Sequence, residues 1–145
     1  MRTYYETEAA VARPLPPALA DAPAYRRVWK WLDGNDRLIL ELASHGVSHR
    51  LIGRAVNLSG GTITRRLAML HRIITSPDTQ CLTSPACPLS DEMRQVILLK
   101  HLSHRSIPQI SAAVGITQGR VRYHIRYARG VVRGHTVRSQ LLDRV

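Results

Sequence analysis

The sequence contains no phenylalanine, and aromatic residues of all kinds make up only 5% of the chain. With so few large rings, a core must be built from leucine, isoleucine, valine and alanine, and a hydrophobic content of 44% supplies enough of them. This mixture favours small helical units over a large β-sandwich, and it excludes a wholly disordered chain. The expected fold class is therefore all-α.

Cysteine is also scarce, and the chain has little of what catalysis or metal binding requires. Cys81 and Cys87 are the only two cysteines, and their spacing matches no four-ligand zinc pattern. We interpret them as reduced cytosolic thiols, with a transient disulfide as the alternative. The acidic residues are too few and too dispersed for a metal-dependent nuclease, which needs convergent carboxylates. The sequence therefore predicts no catalytic residue, no metal site and no cofactor.

Long apolar runs are missing as well. No stretch approaches the roughly 18 apolar residues that a membrane-spanning helix needs. The first ten residues, MRTYYETEAA, lack the apolar segment of a secretory signal. We expect no contact with a membrane and a cytoplasmic, nucleoid-associated location.

Negative charge is in short supply, and positive charge is abundant. Lysine and arginine total 21 against 10 acidic residues, which gives a net charge of +11, and all but two of the basic residues are arginine. No acidic residue lies between Glu41 and Asp78, or between Glu92 and Asp143. A solvated surface normally mixes both signs, and the arginine fork matches phosphate and guanine edges. The pattern favours a polyanionic partner, with a generally arginine-rich proteome as the alternative.

The chain contains an internal duplication. With a shift of 58 positions, residues 33–74 align with residues 91–132 without a gap. The matches fall on apolar or capping positions, where a shared fold would constrain them. Eight pairs are identical: Asp33/Asp91, Ile39/Ile97, Leu40/Leu98, Ser48/Ser106, Ile52/Ile110, Ala55/Ala113, Val56/Val114 and Gly61/Gly119.

Each copy is predicted to form three helices. The expected bounds are 36–45, 49–56 and 60–74 in the first copy, and 91–103, 107–114 and 118–133 in the second. Together with the flanking segments, they define a flexible N-terminal tail (1–23), a first helix-turn-helix domain (24–75), a Pro-containing linker (76–89), a second helix-turn-helix domain (90–134) and a basic C-terminal tail (135–145).

Turn and capping residues place a helix-turn-helix in each copy. Asn57 and Gly115 occupy the same slot after the second helix, and these residue types best tolerate a left-handed backbone. Ser59 and Thr117 follow them as expected caps of the third helix. Each copy thus has a capped short helix, then a left-handed residue and an apolar residue, and then a second cap that begins a long helix. This order is typical of a helix-turn-helix.

The outer face of each third helix supplies the candidates for reading bases, because a helix can enter the major groove and arginine can bind guanine there. Flanking groups supply the candidates for contacting phosphates. The candidates for reading bases are Gly61, Thr62, Arg65, Gln118, Arg120, Tyr123 and Arg126. The candidates for contacting phosphates, which position a protein but specify little sequence, are Ser48, Arg50, Arg54, Ser59, Arg66, Arg72, Arg105, Ser106, Thr117, Arg122 and Arg129.

Two segments resemble a known family. DRLILELASHGVSHRLIGRAVNLSGGTITRRLAML and DEMRQVILLKHLSHRSIPQISAAVGITQGRVRYHIRYAR are similar to region four of bacterial sigma factors and to the related LuxR-type domain. The shared features are the leading apolar helix, the serine cap, the Ile-x-x-Ala step and the Gly-x-Val/Ile opening of the last helix. The resemblance covers about two thirds of the chain and implies duplex DNA binding and a role in transcription. It does not extend to a complete sigma factor, because the aromatic-rich helix that melts promoters has no counterpart.

These observations favour a transcriptional regulator that reads two adjacent sites on double-stranded DNA, without chemistry. One alternative is the DNA-recognition subunit of a transposase or of a phage packaging or regulatory complex. A second is a protein-interaction module that docks onto RNA polymerase or another transcription protein. The oligomeric state stays open.

Overall fold

The computed structural model describes residues 15–143, and every regular element in that range is helical, which confirms the all-α expectation. None of its helices is long and apolar enough to cross a lipid bilayer. Within the described residues, eight α-helices are joined by turns and by two short 3-10 segments: α1 (Pro23–Val28), α2 (Gly34–Ser44), α3 (His49–Val56), α4 (Gly60–Ile74), α5 (Pro77–Leu82), α6 (Asp91–His101), α7 (Ile107–Val114) and α8 (Gln118–Asp143).

The chain divides into two compact units, with the boundary between Ser76 and Pro77. In the first unit, α2, α3 and α4 each bury an isoleucine in a common cluster of Ile39, Ile52 and Ile63. Each of these side chains is at most 1% exposed. Removing this apolar surface from water is the main stabilising contribution in the unit.

The junctions between the helices of the first unit have the local structure that their residues predict. The hydroxyl of Ser48 accepts a hydrogen bond from the N–H of Leu51, and that of Ser59 accepts one from the N–H of Thr62. Asn57 lies between them with φ 60° and ψ 45°, in the left-handed region. The backbone therefore reverses within a few residues and starts α4 directly after α3.

The second unit repeats these junctions. The Ser106 hydroxyl and the Gln109 side chain form a reciprocal capping box at the start of α7. Gly115 ends that helix with φ 76°, and Thr117 accepts a hydrogen bond from the N–H of Arg120 at the start of α8. Ser90 caps α6 in the same way. Of the six helices expected in the two copies, five begin at the predicted residue.

The segment 76–89 differs from the linker that the prolines suggested. It contains α5, which packs against α8 and belongs to the second unit. Proline is tolerated at position 77 because a backbone N–H in the first turn of a helix has no partner within the helix, so the N–H that Pro77 lacks would make no helical hydrogen bond. Thr79 and Leu82 lie one turn apart and are buried, as is Leu89. Tertiary burial of one small apolar face makes this segment part of a folded unit.

The two terminal segments also differ from expectation where they are described. The expected C-terminal tail from residue 135 instead continues α8 as far as Asp143. In the expected N-terminal tail, residues 1–14 lie outside the described range, and residues 17–19 form a 3-10 turn just before α1.

Candidate nucleic-acid interface

In the first unit the outer face of α4 begins with small and polar side chains. Gly61 is exposed, and a Cβ added there would approach only the end of the Arg65 side chain. The hydroxyl of Thr62 lies 2.7 Å from that of Ser59 and accepts a hydrogen bond of 3.3 Å from Nη2 of Arg65. These contacts orient the exposed Arg65 along the first turns of α4. The side chains there are small, so a binding partner could approach the helix backbone closely.

Two contacts around this face involve residues that the sequence did not single out. Nδ1 of His49, at the start of α3, lies 2.7 Å from the Thr64 hydroxyl on α4. The Tyr25 hydroxyl of α1 lies 2.8 Å from Nδ1 of His71, and the two rings stack. Neither pair has an equivalent in the second copy. His49 and Thr64 correspond there to Ile107 and Arg122, and His71 corresponds to Arg129. Comparison of the two copies therefore could not reveal them.

In the second unit the equivalent face of α8 has different chemistry. Tyr123 and Tyr127 remain 58% and 50% exposed, and their rings stack with centroids 5.9 Å apart and planes 18° apart. Gln118 and Arg126 are exposed beside them. Two large aromatic side chains left in water on an arginine-bearing helix make a surface suited to stacking against the rings of a partner.

Arg120, a candidate for reading bases, forms an ion pair with Glu92. Its Nη2 lies 2.8 Å from Oε2 of Glu92 on α6, and Nε2 of the buried His124 lies 2.7 Å from the same oxygen. Partial burial raises the pKa of Glu92, but the hydrogen bond from His124 and the charge of Arg120 outweigh it, so the pKa is lowered overall. The ionised Glu92 thus neutralises part of the positive charge at the start of α8.

Arg66, a candidate for contacting phosphate, also has an internal partner. Its Nε and Nη2 each lie 2.8 Å from Oδ1 of Asp36, a carboxylate that is completely buried. One third of the Arg66 side chain remains exposed. The first function of this guanidinium is to compensate a buried charge, because an isolated carboxylate in the interior is strongly unfavourable.

The other candidate arginines lie at several places on the two units. All of them are exposed except Arg105, which is half-buried. Arg129 lies on the side of α8 away from Tyr123, because six residues at 100° per residue turn a helix by more than one and a half turns. The exposed arginines are Arg50, Arg54 and Arg72 in the first unit and Arg122, Arg126 and Arg129 in the second.

The four hydroxyl candidates act as helix caps. Ser48, Ser59, Ser106 and Thr117 each accept a hydrogen bond from a backbone N–H of the first turn that follows. A capping hydroxyl stabilises its helix by about 1 kcal/mol. Their contact with phosphate stays a prediction, whereas the structure shows the hydrogen bonds by which they cap the helices.

Comparisons of the chain with protein-family models, with curated proteins and with solved structures found no match. Within residues 15–143 no three histidine, cysteine or acidic side chains come together as a set that could hold a metal ion.

Proposed function

We propose that this chain is a sequence-specific double-stranded DNA-binding protein with two helix-turn-helix units, each presenting its third helix to a major groove. The observation that carries the proposal is the recurrence of one frame. In both units a capped short helix, a left-handed residue (Asn57 or Gly115) and a second cap lead into a long helix with an exposed arginine-bearing face. The major groove is about 12 Å wide and admits such a helix.

The charge distribution supports the same proposal. The windows that contain α3, α4, α7 and most of α8 lack acidic residues. Two acids that approach these helices, Asp36 and Glu92, are engaged with basic side chains of α4 and α8. A face of this kind attracts phosphates over a Debye length and releases their counterions on contact.

The two faces favour recognition of two unlike half-sites. Thr62 and Arg65 in the first unit correspond to Arg120 and Tyr123 in the second, at a shift of 58. Threonine can contact a thymine methyl, whereas arginine binds guanine through two hydrogen bonds. A transcriptional regulator that binds a composite site with two different halves is the function we favour, and joining two weak modules raises affinity through effective concentration.

The proposal is tested by selecting bound fragments from a random duplex pool and by measuring affinity across salt. We expect a composite motif with two unlike halves and the release of roughly six or more counterions. Arg65→Ala should relax one half and Arg126→Ala the other, each costing about 1–3 kcal/mol on the preferred site. Arg26→Ala, which removes an exposed arginine of α1, serves as the matched control and should leave the motif unchanged. No enriched motif, or affinity that ignores salt, would overturn the proposal.

A second candidate, docking onto a transcription protein, is favoured by two exposed leucines of the first unit. Leu51 and Leu58 are 53% and 45% exposed, one on α3 and one in the turn that follows it. The counterpart of Leu51 is Gln109, which completes a capping box, so the first copy has an apolar side chain in water where a polar one would stabilise its helix. Replacing both leucines with glutamine should abolish capture of a protein partner and leave DNA selection intact under this alternative.

A further inference from the structure

The second unit contains a cavity of about 350 Å³. It lies where α5, α6 and α8 meet. Its floor is apolar, and its rim carries charged and polar groups. The floor is formed by Leu82, Ile97, Ile125, Ala128 and Val132, and the rim by Asp78, Lys100, His101, Arg129 and Arg133.

The two copies differ in side-chain size at this place. Ala128 and Val132 are buried on α8, and their counterparts in the first unit are the buried Leu70 and Ile74. Each side chain of the second copy is therefore smaller than its equivalent. Protein interiors are normally close-packed, and a truncated core position leaves a void unless its neighbours collapse into it. In the second unit two such truncations lie one turn apart on the same helix face.

The rim of the cavity carries an excess of positive charge. It has three basic side chains, those of Lys100, Arg129 and Arg133, and one carboxylate, that of Asp78. Within residues 15–143 none of these three basic side chains forms an ion pair, unlike Arg120 on the same unit. Basic groups at the edge of an apolar cavity suit an anion with an apolar body, because a guanidinium binds a carboxylate through two parallel hydrogen bonds.

The position of the cavity separates it from the proposed DNA face. Ile125, Ala128 and Val132 follow each other at helical spacing and define one side of α8, whereas Tyr123 and Tyr127 are exposed on another. The floor of the cavity is apolar, and Arg129 is the one residue of its lining that is also a candidate phosphate contact. Its volume lies at the lower end of the range for small-molecule pockets, about 300–1,000 Å³.

We propose that this cavity binds a small amphipathic carboxylate, with its hydrocarbon body against Leu82, Ile125 and Val132 and its carboxylate at Arg129 and Lys100. A medium-chain alkanoate has the required chemistry and a size that the cavity can hold. The proposal is independent of DNA binding, and either can fail without the other.

The test is calorimetric titration of the full chain with decanoate, beside decan-1-ol, which has the same hydrocarbon body without the charge. We expect saturable binding of decanoate with a stoichiometry of one, and at least tenfold weaker binding of the alcohol. Arg129→Gln should weaken decanoate binding at least fivefold. The matched control is Arg126→Gln, which removes an exposed arginine of the same helix outside the cavity lining, and it should have no effect.

Ala128→Leu provides a second test, because it introduces the side chain found at the equivalent position of the first unit. It should fill the cavity and abolish decanoate binding while the chain keeps its helical circular dichroism spectrum. If this variant does not fold, Arg129→Gln alone decides. No saturable binding, equal binding of acid and alcohol, or binding that Arg129→Gln leaves unchanged would each overturn the proposal.

Discussion

The buried carboxylate of Asp36 accepts a hydrogen bond of 2.8 Å from Nε of Arg66, and Nη2 of the same guanidinium lies 2.8 Å from the same oxygen. The equivalent position in the second unit holds His124, whose Nε2 lies 2.7 Å from Oε2 of Glu92. In each copy a base and an acid thus tie the long last helix to the helix that opens the copy, α4 to α2 and α8 to α6. The acids come from different positions, since Asp36 corresponds to Arg94 and not to Glu92.

Removing Arg66 should destabilise the first unit. Arg66→Ala removes the guanidinium that contacts the buried Asp36, and we expect a loss of about 2 kcal/mol in the free energy of unfolding. This is less than the roughly 3–5 kcal/mol lost when a fully buried pair is broken, because 33% of the Arg66 side chain is exposed.

Urea denaturation followed by tryptophan fluorescence measures this effect, since Trp29 and Trp31 both lie in the first unit. The exposed neighbour Arg65 supplies the control, and Arg65→Ala should change the stability by less than about 0.5 kcal/mol. Equal stabilities of the two variants would show that the Asp36–Arg66 pair does not stabilise the fold.

Gly53 is expected to be intolerant of any side chain. A Cβ at this position would overlap the carbonyl oxygen of Leu58, whose N–H donates to the Gly53 carbonyl at 2.7 Å. The overlap is with backbone, so relief requires the turn between α3 and α4 to open. Gly53→Ala should lower the unfolding free energy by about 2 kcal/mol or more.

Gly130 on α8 provides a contrasting control, because a Cβ added there meets nothing within 4 Å. Gly130→Ala should stabilise its helix by about 0.5–1 kcal/mol, as alanine does in an exposed helix interior. Thermal unfolding by circular dichroism of both variants checks the pair. A stable Gly53→Ala variant with an unchanged spectrum would mean that the turn adapts more easily than its geometry suggests.

Acid should weaken the second unit through Glu92. Because the folded state lowers the pKa of Glu92 below its ordinary value of 4.5, the ionised carboxylate contributes stability that is fully present above that value. This stability is lost as the pH falls through the lower pKa of the folded state. Stability followed from pH 6 towards pH 3 should therefore fall less steeply in Glu92→Gln than in the parent chain.

Asp91 is the control for this titration. It lies next to Glu92, but its carboxylate is exposed and pairs with Arg94 three residues away, and such surface pairs contribute little. Asp91→Asn should therefore keep the parent's dependence on pH. Urea denaturation by far-ultraviolet circular dichroism at each pH gives the comparison, and parallel curves for all three proteins would contradict the assignment to Glu92.

The thiol of Cys81 should react slowly. Burial raises its pKa to about 11, with the charge and hydrogen bond of Cys87 and the charge of Asp78 adding to the effect. At pH 8 the thiolate fraction should be roughly a hundredfold below that of a thiol with a pKa of 9, and alkylation proceeds through the thiolate.

The measurement is the rate of iodoacetamide labelling at Cys81, read by mass spectrometry of the peptide. Cys87→Ser should raise that rate, because it removes one of the groups that disfavour the thiolate. Labelling of Cys81 in the folded chain as fast as in urea would show that its pKa is not raised.

The amino-acid sequence by itself determined the local structure of this protein. The serine and threonine caps, the left-handed residues Asn57 and Gly115 and the 3.6-residue apolar pattern act over a few residues, and the helix starts follow from them. The exposure of most candidate arginines could be predicted for the same reason, since spacing along a helix fixes which residues share a face. Arg66 and Arg105 are half-buried.

Only the tertiary structure decided which charges meet and which segments pack. The pairing of Arg66 with Asp36 and of Arg120 with Glu92 joins residues about thirty positions apart, and no local pattern encodes such a distance. Burial against α8 turns a proline-containing segment into α5, and a cavity lies where α5, α6 and α8 meet. These outcomes depend on the close packing of side chains from several helices, and that packing exists only once the chain has folded.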